Sequence, residues 1–290
     1  MDFTLYWFMF PVAICVATCA MLSGIGGAAL FTPIFVLIFP LLGEEYVLSS
    51  TVAAIAAALI TQTFGFLSGF IGYQRRRLID YGLASRLLII AVPVAIAGAM
   101  LANAMPDHLL LAGYALLVLL LAVGLFQQTR TRVPVRDDVP QELRLVIDSA
   151  GNRHEFLHDG LHIKDKLLTG VGAFMTGLVS VGIGEVTISQ LTRRGVPIAV
   201  AAATSVLVVI LTVATASSAL AVELIRDGGW AAVPWHLLVW DIPGVLIGGQ
   251  IGPRLQGRFN QRTLQKAIAV MFVVIGIAMA TVAWQRGGLH

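Results

Sequence analysis

Thr176–Pro197 reads TGLVSVGIGEVTISQLTRRGVP, and this stretch decides how the chain is understood. An apolar run is broken at Gly182 and Gly184, meets Glu185 at once, and ends at Arg193 and Arg194. A carboxylate that deep in lipid costs roughly 3 kcal/mol or more unless a partner or water reaches it. Either the segment lies outside a membrane or Glu185 has a task. The rest of the chain argues for the membrane. Of 290 residues 58% are hydrophobic and 12% charged, with a mean hydropathy of +0.87, against about 25% charged in a soluble domain. The formal charge of +3 is spread through loops, so nucleic acid is not an expected partner.

Apolar stretches fall at roughly 4–23, 27–42, 47–72, 84–104, 108–127, 167–191, 197–222, 232–252 and 266–284. Crossing the hydrocarbon takes about 20 helical residues. Two regions are irregular. One is interrupted by SGIGGAALFTP (Ser23 to Pro33) and the other by VGIGEV (Val181 to Val186). Arg75, Arg76 and Arg77, placed in the cytoplasm by the positive-inside rule, set the sidedness. If 167–191 dips in and returns as a hairpin, the basic residues of 128–166, Arg193, Arg194 and the cluster Arg254 to Lys266 all lie inside. Glu44, Glu45 and both termini then lie outside. The expected location is a cell inner membrane, multi-pass, with the 128–166 loop cytoplasmic. The acidic start, with no Lys or Arg before the apolar run, argues against a cleaved signal peptide.

The halves match. Ser23-Gly24-Ile25-Gly26-Gly27 aligns with Val181-Gly182-Ile183-Gly184-Glu185. Ser50-Thr51-Val52-Ala53 aligns with Ala203-Thr204-Ser205-Val206, and PVAIAGA (Pro93 to Ala99) with PGVLIGG (Pro243 to Gly249). The expected architecture is an all-α polytopic membrane protein of two inverted repeats, each a broken, re-entrant helical hairpin plus three transmembrane helices. The divisions are 1–127, a cytoplasmic loop 128–166 and 167–290. Interrupted helices in inverted repeats are the plan of secondary transporters, with substrate between the repeats. A helix restarting at a glycine break aims its free N–H groups and positive dipole end at a cavity, which suits an anion. Candidate substrate contacts are Ser23, Gly24, Gly26, Gly27, Ser50, Thr51, Gln62, Gly182, Gly184, Thr187, Gln190, Thr204 and Ser205. For any single hydroxyl among them, helix packing is the competing role.

The G-x-G-G and G-x-G-E pair, the AAATSV stretch (Ala201 to Val206) and GVLIGGQIGPRLQGRFNQRTLQKAIAVMFVVIGIAM (Gly244 to Met279) resemble the TauE/SafE family of sulfite exporters. The resemblance spans nearly the whole chain except 128–166. It implies a permease for sulfite, sulfonates or related small anions, often outward. The chain departs from the family's pattern at Ala28, where a third glycine is usual, and at Glu185 and Val186, which replace the second and third glycines of the other motif.

Glu185 is pulled two ways, by the helix dipole toward charge and by burial away from it. That makes it a candidate proton carrier; the alternatives are an N-cap reaching cytoplasmic water or a pair with Arg193 or Arg194. Asp241, in WHLLVWDIPGVLIGG, is the second candidate, against a structural role satisfying backbone freed by Pro243. His236 with Trp230, Trp235 and Trp240 reads as an interfacial aromatic belt. His154, His158 and His162 are spaced for a helical metal site, but Gly160 and the alternation around Ser149 to Asn152 favour a β-hairpin with solvated histidines. Cys15 and Cys19 read as small buried packing residues. No metal or cofactor is expected. Protons, lipids and a small anion are the expected partners, and a homo-oligomer is open. No G-x-S-x-G, H-E-x-x-H or P-loop is present, so an enzyme is disfavoured. The expected function is an alternating-access exporter of a small sulfur anion; the rivals are an anion channel and a membrane-embedded enzyme.

Overall fold

A computed structural model describes residues 3–23, 26–128, 142–158, 162–255 and 261–287. Gly24 lies outside them, and so do Arg130, Arg132 and Arg136 of the loop and Arg258. Among the described residues the regular structure is helical apart from one hairpin.

The first half comprises α1 (Met9–Ser23), α2 (Ala28–Pro33), α3 (Phe39–Leu42), α4 (Thr51–Arg75), α5 (Tyr81–Ala104) and α6 (Asp107–Gln128). A π-helical turn, Ile34–Ile38, joins α2 to α3 just after Pro33, whose missing N–H disturbs the regular ladder. The second half comprises α7 (Ile163–Val179), α8 (Ile183–Arg193), α9 (Ile198–Gly228), α10 (Trp235–Leu255) and α11 (Gln261–Gly287). Among the described residues five helices are long and apolar enough to cross a membrane, α4, α5, α6, α9 and α11. Bulky apolar side chains such as Ile89, Leu116, Leu120, Val222 and Trp284 stand exposed on these helices, as a lipid-facing surface requires.

Both expected chain breaks are present. α1 ends at Ser23 and the helix resumes at Ala28; α7 ends at Val179 and resumes at Ile183. Caps set the other ends. Ser50 Oγ accepts from the Ala53 N–H at 3.0 Å, and Asp80 Oδ1 from the Leu83 N–H at 2.9 Å.

Packing partners are exchanged between the halves. α1 lies on α10 while α7 lies on α5; α4 lies on α10 while α9 lies on α5; α4 packs on α9 and α6 on α11. Small residues permit the close approach. A Cβ at Gly248 would come within 2.5 Å of the Ile14 carbonyl oxygen, and one at Gly177 within 2.0 Å of that of Ala95. The lipid-facing side of α1 carries Cys15 and Cys19, both exposed. That corrects their reading as buried packing residues: Ala13 and Ala17, two positions before each, take the buried face instead.

Residues 142–158 form the hairpin. β1 (Glu142–Ile147) pairs antiparallel with β2 (Arg153–His158), with Leu145 opposite Glu155. Asp148 organises the turn by accepting from the N–H groups of Ala150 and Asn152 and from the Asn152 side chain. The Asn152 side chain is the main reason its carboxyl is held below the usual range. Low pH therefore loosens this turn, because the contribution exists above the ordinary carboxylate range and fades as pH falls through the lowered one. His154 is half-buried, its Nε2 3.5 Å from Asp148 Oδ2, and His162 stands exposed at the start of α7. No three metal-ligating side chains cluster among the described residues.

Candidate functional site

The two broken segments meet tip to tip. The arms of the first, α1 and α2–α3, open where Tyr6 donates to the Tyr46 carbonyl at 2.9 Å and packs at a tilt against His236, ring centres 5.0 Å apart. The arms of the second, α7 and α8, open at the ion pair of Asp165 with Arg194. The first mouth lies with the N-terminal ends of α4 and α10. The second lies with the N-terminal end of α9, where Thr204 Oγ1 accepts from the Asp80 N–H at 3.0 Å. The hairpins thus enter the bundle from its opposite ends.

Glu185 sits at their junction. It is the third residue of α8 and is only 5% exposed. One carboxylate oxygen, Oε1, accepts from the Gly26 N–H of the first hairpin at 3.0 Å. The other, Oε2, turns back to the Gly182 N–H of its own hairpin at 3.2 Å. The local reason is the spacing: a glutamate three residues past a helix cap reaches back to the cap's amide. Gly182 has φ +139°, so glycine alone suits that cap, and Ser180 turns the chain before it at φ 66°. Of the two alternative roles, capping is met in part at the Gly182 amide, and the pair with Arg193 or Arg194 is not formed. Among the described residues no Lys or Arg pairs with it, and Arg194 is held by Asp165.

Around this carboxylate the chain satisfies its freed amides with its own groups. Gln62 Oε1 accepts from the Ala28 N–H at 2.7 Å, and Thr176 Oγ1 accepts from the Ile183 N–H at 2.7 Å. Ser205 Oγ donates to the Gly184 carbonyl at 3.3 Å. A second bridge joins the hairpins, Thr32 Oγ1 to Ser180 Oγ at 2.7 Å. Tyr114 of α6, fully buried, donates to the Ala29 carbonyl at 2.6 Å and lies within electrostatic reach of Glu185. Gln62 Nε2 faces Gly26, 3.2 Å from where a Cβ would stand. Thr187 is fully buried, and its hydroxyl finds no hydrogen-bond partner among the described residues.

Of the residues expected to hold substrate, the structure brings Gly26, Gly27, Gln62, Gly182, Gly184 and Ser205 to this junction or its rim, together with Glu185. Thr187 follows one turn into α8. Others sit elsewhere. Ser50 caps α4, and Thr51 beside it accepts from Arg286 Nη1 at 3.2 Å, roughly 16 Å of helix from Gln62. Gln190 laces α8 to α7, accepting from Thr169 Oγ1 at 3.2 Å and donating to the Asp165 carbonyl at 2.9 Å. Thr204 serves the α5 cap through Asp80. Ser23 closes α1. Asp241 lies apart on α10, fully buried; its Oδ2 accepts from Thr61 Oγ1 at 3.3 Å and its Oδ1 is unpartnered among the described residues. Its recorded partner is thus a hydroxyl on α4, not backbone freed by Pro243. Trp230 and Trp235 stack at 4.7 Å beside the first mouth.

Tyr114, Thr32, Ser180 and Thr176 were not singled out from the sequence. Tyr114 alone carries a signal there, as a lone hydroxyl-bearing ring in the apolar run of α6; the others depend on which turns the breaks bring together.

The chain matches the profile of the family described as "Sulfite exporter TauE/SafE" over residues 9–279. It is similar to the "Probable membrane transporter protein YunE" of Bacillus subtilis (strain 168), 22% identical over 225 residues, which is 77% of this chain and 78% of the relative. No solved structure matches.

Proposed function

The chain belongs to the TauE/SafE family of membrane transporters, and from that premise we propose that it exports a small sulfur-containing oxyanion, such as sulfite or an organosulfonate, by alternating access. The observation that carries this reading is the junction itself. Two interrupted helices, entering from opposite ends, converge their backbone N–H groups on one buried carboxyl group. Dipoles without a fixed cation hold an anion weakly enough to release it, which a carrier needs.

The exchanged packing of α1 on α10 and α7 on α5 supports two inverted repeats, 1–127 and 167–290, rocking about the α4–α9 contact. The 128–166 loop is then cytoplasmic, both ends of the chain lie outside, and the membrane is the cell inner membrane. Glu185 at the junction and Asp241 against Thr61 are the proton-coupling candidates, since both are buried acids without a cationic partner among the described residues. Protein reconstituted in liposomes tests the reading. Sulfite efflux is expected to saturate, to be accelerated by sulfite on the opposite side, and to depend on a proton gradient. Flux that rises linearly without exchange would mean a channel; absence of flux for sulfite, thiosulfate and taurine alike would overturn the substrate class.

A further inference from the structure

We propose that Glu185 is a resident ligand: its carboxylate occupies a small-oxyanion cradle built by both hairpin tips, so that a free anion and the Glu185 side chain exclude one another. The inference rests on the transporter reading for its meaning but not for its geometry. A carboxylate is itself a two-oxygen planar anion, and here each oxygen takes one amide from a different chain break, Gly26 at 3.0 Å and Gly182 at 3.2 Å. The cradle is more than the start of α8. Gln62, 3% exposed, has its Oε1 fixed by the Ala28 N–H, which aims Nε2 at Gly26 beside Glu185 Oε1. A Cβ at Gly26 would stand 3.2 Å from Gln62 Nε2 and 3.4 Å from Glu185 Oε1, so one side-chain donor lies beside the carboxylate oxygen that the Gly26 amide holds. Among the described residues that Nε2 donates no hydrogen bond, so a donor remains for an anion that takes the carboxylate's place. Because the side chain is tethered, its effective concentration at the cradle is high, on the order of millimolar or more, and a free anion competes at a disadvantage. Swinging Glu185 out also removes its link between the hairpin tips, leaving, among the described residues, that of Thr32 with Ser180. Anion entry therefore loosens the contact between the tips.

Formate, the smallest carboxylate, is the probe, with the full chain purified in detergent. Glu185→Gly and Glu185→Ala empty the cradle. Formate is expected to bind these variants about 10-fold or more tightly than it binds the unmodified protein, by calorimetry and by thermal shift. Gln62→Ala added to Glu185→Ala is expected to cancel most of that gain. If the emptied variants are too unstable to purify in chloride, recovery in formate buffer and not in chloride supports the cradle equally. Equal formate affinity in the variants and the unmodified protein, or failure of recovery in either buffer, overturns it. The result is independent of the cargo: formate binding to Glu185→Gly with no sulfite flux from the unmodified protein would sink the substrate assignment and leave the cradle standing.

Discussion

Glu185 shows what one carboxylate set between two chain breaks does for a membrane interior. With glycine at that position, the amides of Gly26 and Gly182 would need water or a ligand, because bare N–H groups are not tolerated in hydrocarbon. With glutamate they are satisfied within the chain. Gly182 is the companion requirement. Its φ of +139° is open to glycine, and a Cβ there would lie 2.6 Å from the Gly172 carbonyl oxygen. Gly182→Ala is therefore expected to destabilise the protein by about 1–3 kcal/mol, by strain and by contact with backbone that cannot rotate away. The measurement is the thermal unfolding midpoint in detergent, compared with Gly195→Ala. Gly195 also has positive φ but open space around the Cβ position, so its penalty should be the smaller. Equal losses would show that the Gly172 contact does not matter.

At the scale of elements, the hairpins stay in place because their supporting helices pack backbone to backbone. α7 meets α5 at Gly177 and Gly98, and α1 meets α10 at Gly244 and Gly248. Without a hydrophobic drive between helices in lipid, close packing of small residues carries much of the association. Gly177→Val should push α7 off α5, since even one Cβ falls 2.0 Å from the Ala95 carbonyl oxygen and 2.7 Å from the Ala99 nitrogen. A loss of about 2 kcal/mol or more and broadened, aggregation-prone elution on size exclusion are expected. Gly124→Val is the control, since that glycine has no neighbour within 4 Å of its Cβ position and should behave as the unmodified chain. The five long spans and both breaks were legible as elements because apolar length and glycine punctuation are local properties. The exposed cysteines were not, because a weakly amphipathic apolar helix does not announce which face meets lipid.

Across the whole molecule, the β-hairpin is tied to the bundle by a chain of contacts. Arg144 Nη1 reaches both oxygens of Asp80 at 2.8 Å. Asp80 caps α5 through the Leu83 N–H, and its own N–H donates to Thr204 of α9. The Ser149 N–H adds a bond to the Arg76 carbonyl at 3.0 Å. Arg144→Ala leaves Asp80, 8% exposed, without this charged partner. It is expected to cost about 1–3 kcal/mol and to make the 142–158 hairpin sensitive to limited proteolysis while the helices remain intact. Unchanged protease resistance would mean that strand pairing and the Ser149 bond suffice to dock it.

The sequence by itself determined that the chain is a helical membrane protein, where its helices break, and to which family it belongs, since hydropathy, glycine spacing and motif order are written along the chain. It also marked Glu185 as the residue needing an explanation. The bond of Glu185 to Gly182 follows from local capping spacing, but its bond across to the first hairpin was decided by the tertiary structure alone. Gly26 lies 159 positions away, and no local rule links them. The same holds for the sorting of hydroxyls into those at the junction, such as Ser205, and those spent on caps and helix lacing, such as Ser50 and Thr204. A hydroxyl's role depends on which backbone groups the packing leaves without partners, and that is a property of the assembled bundle.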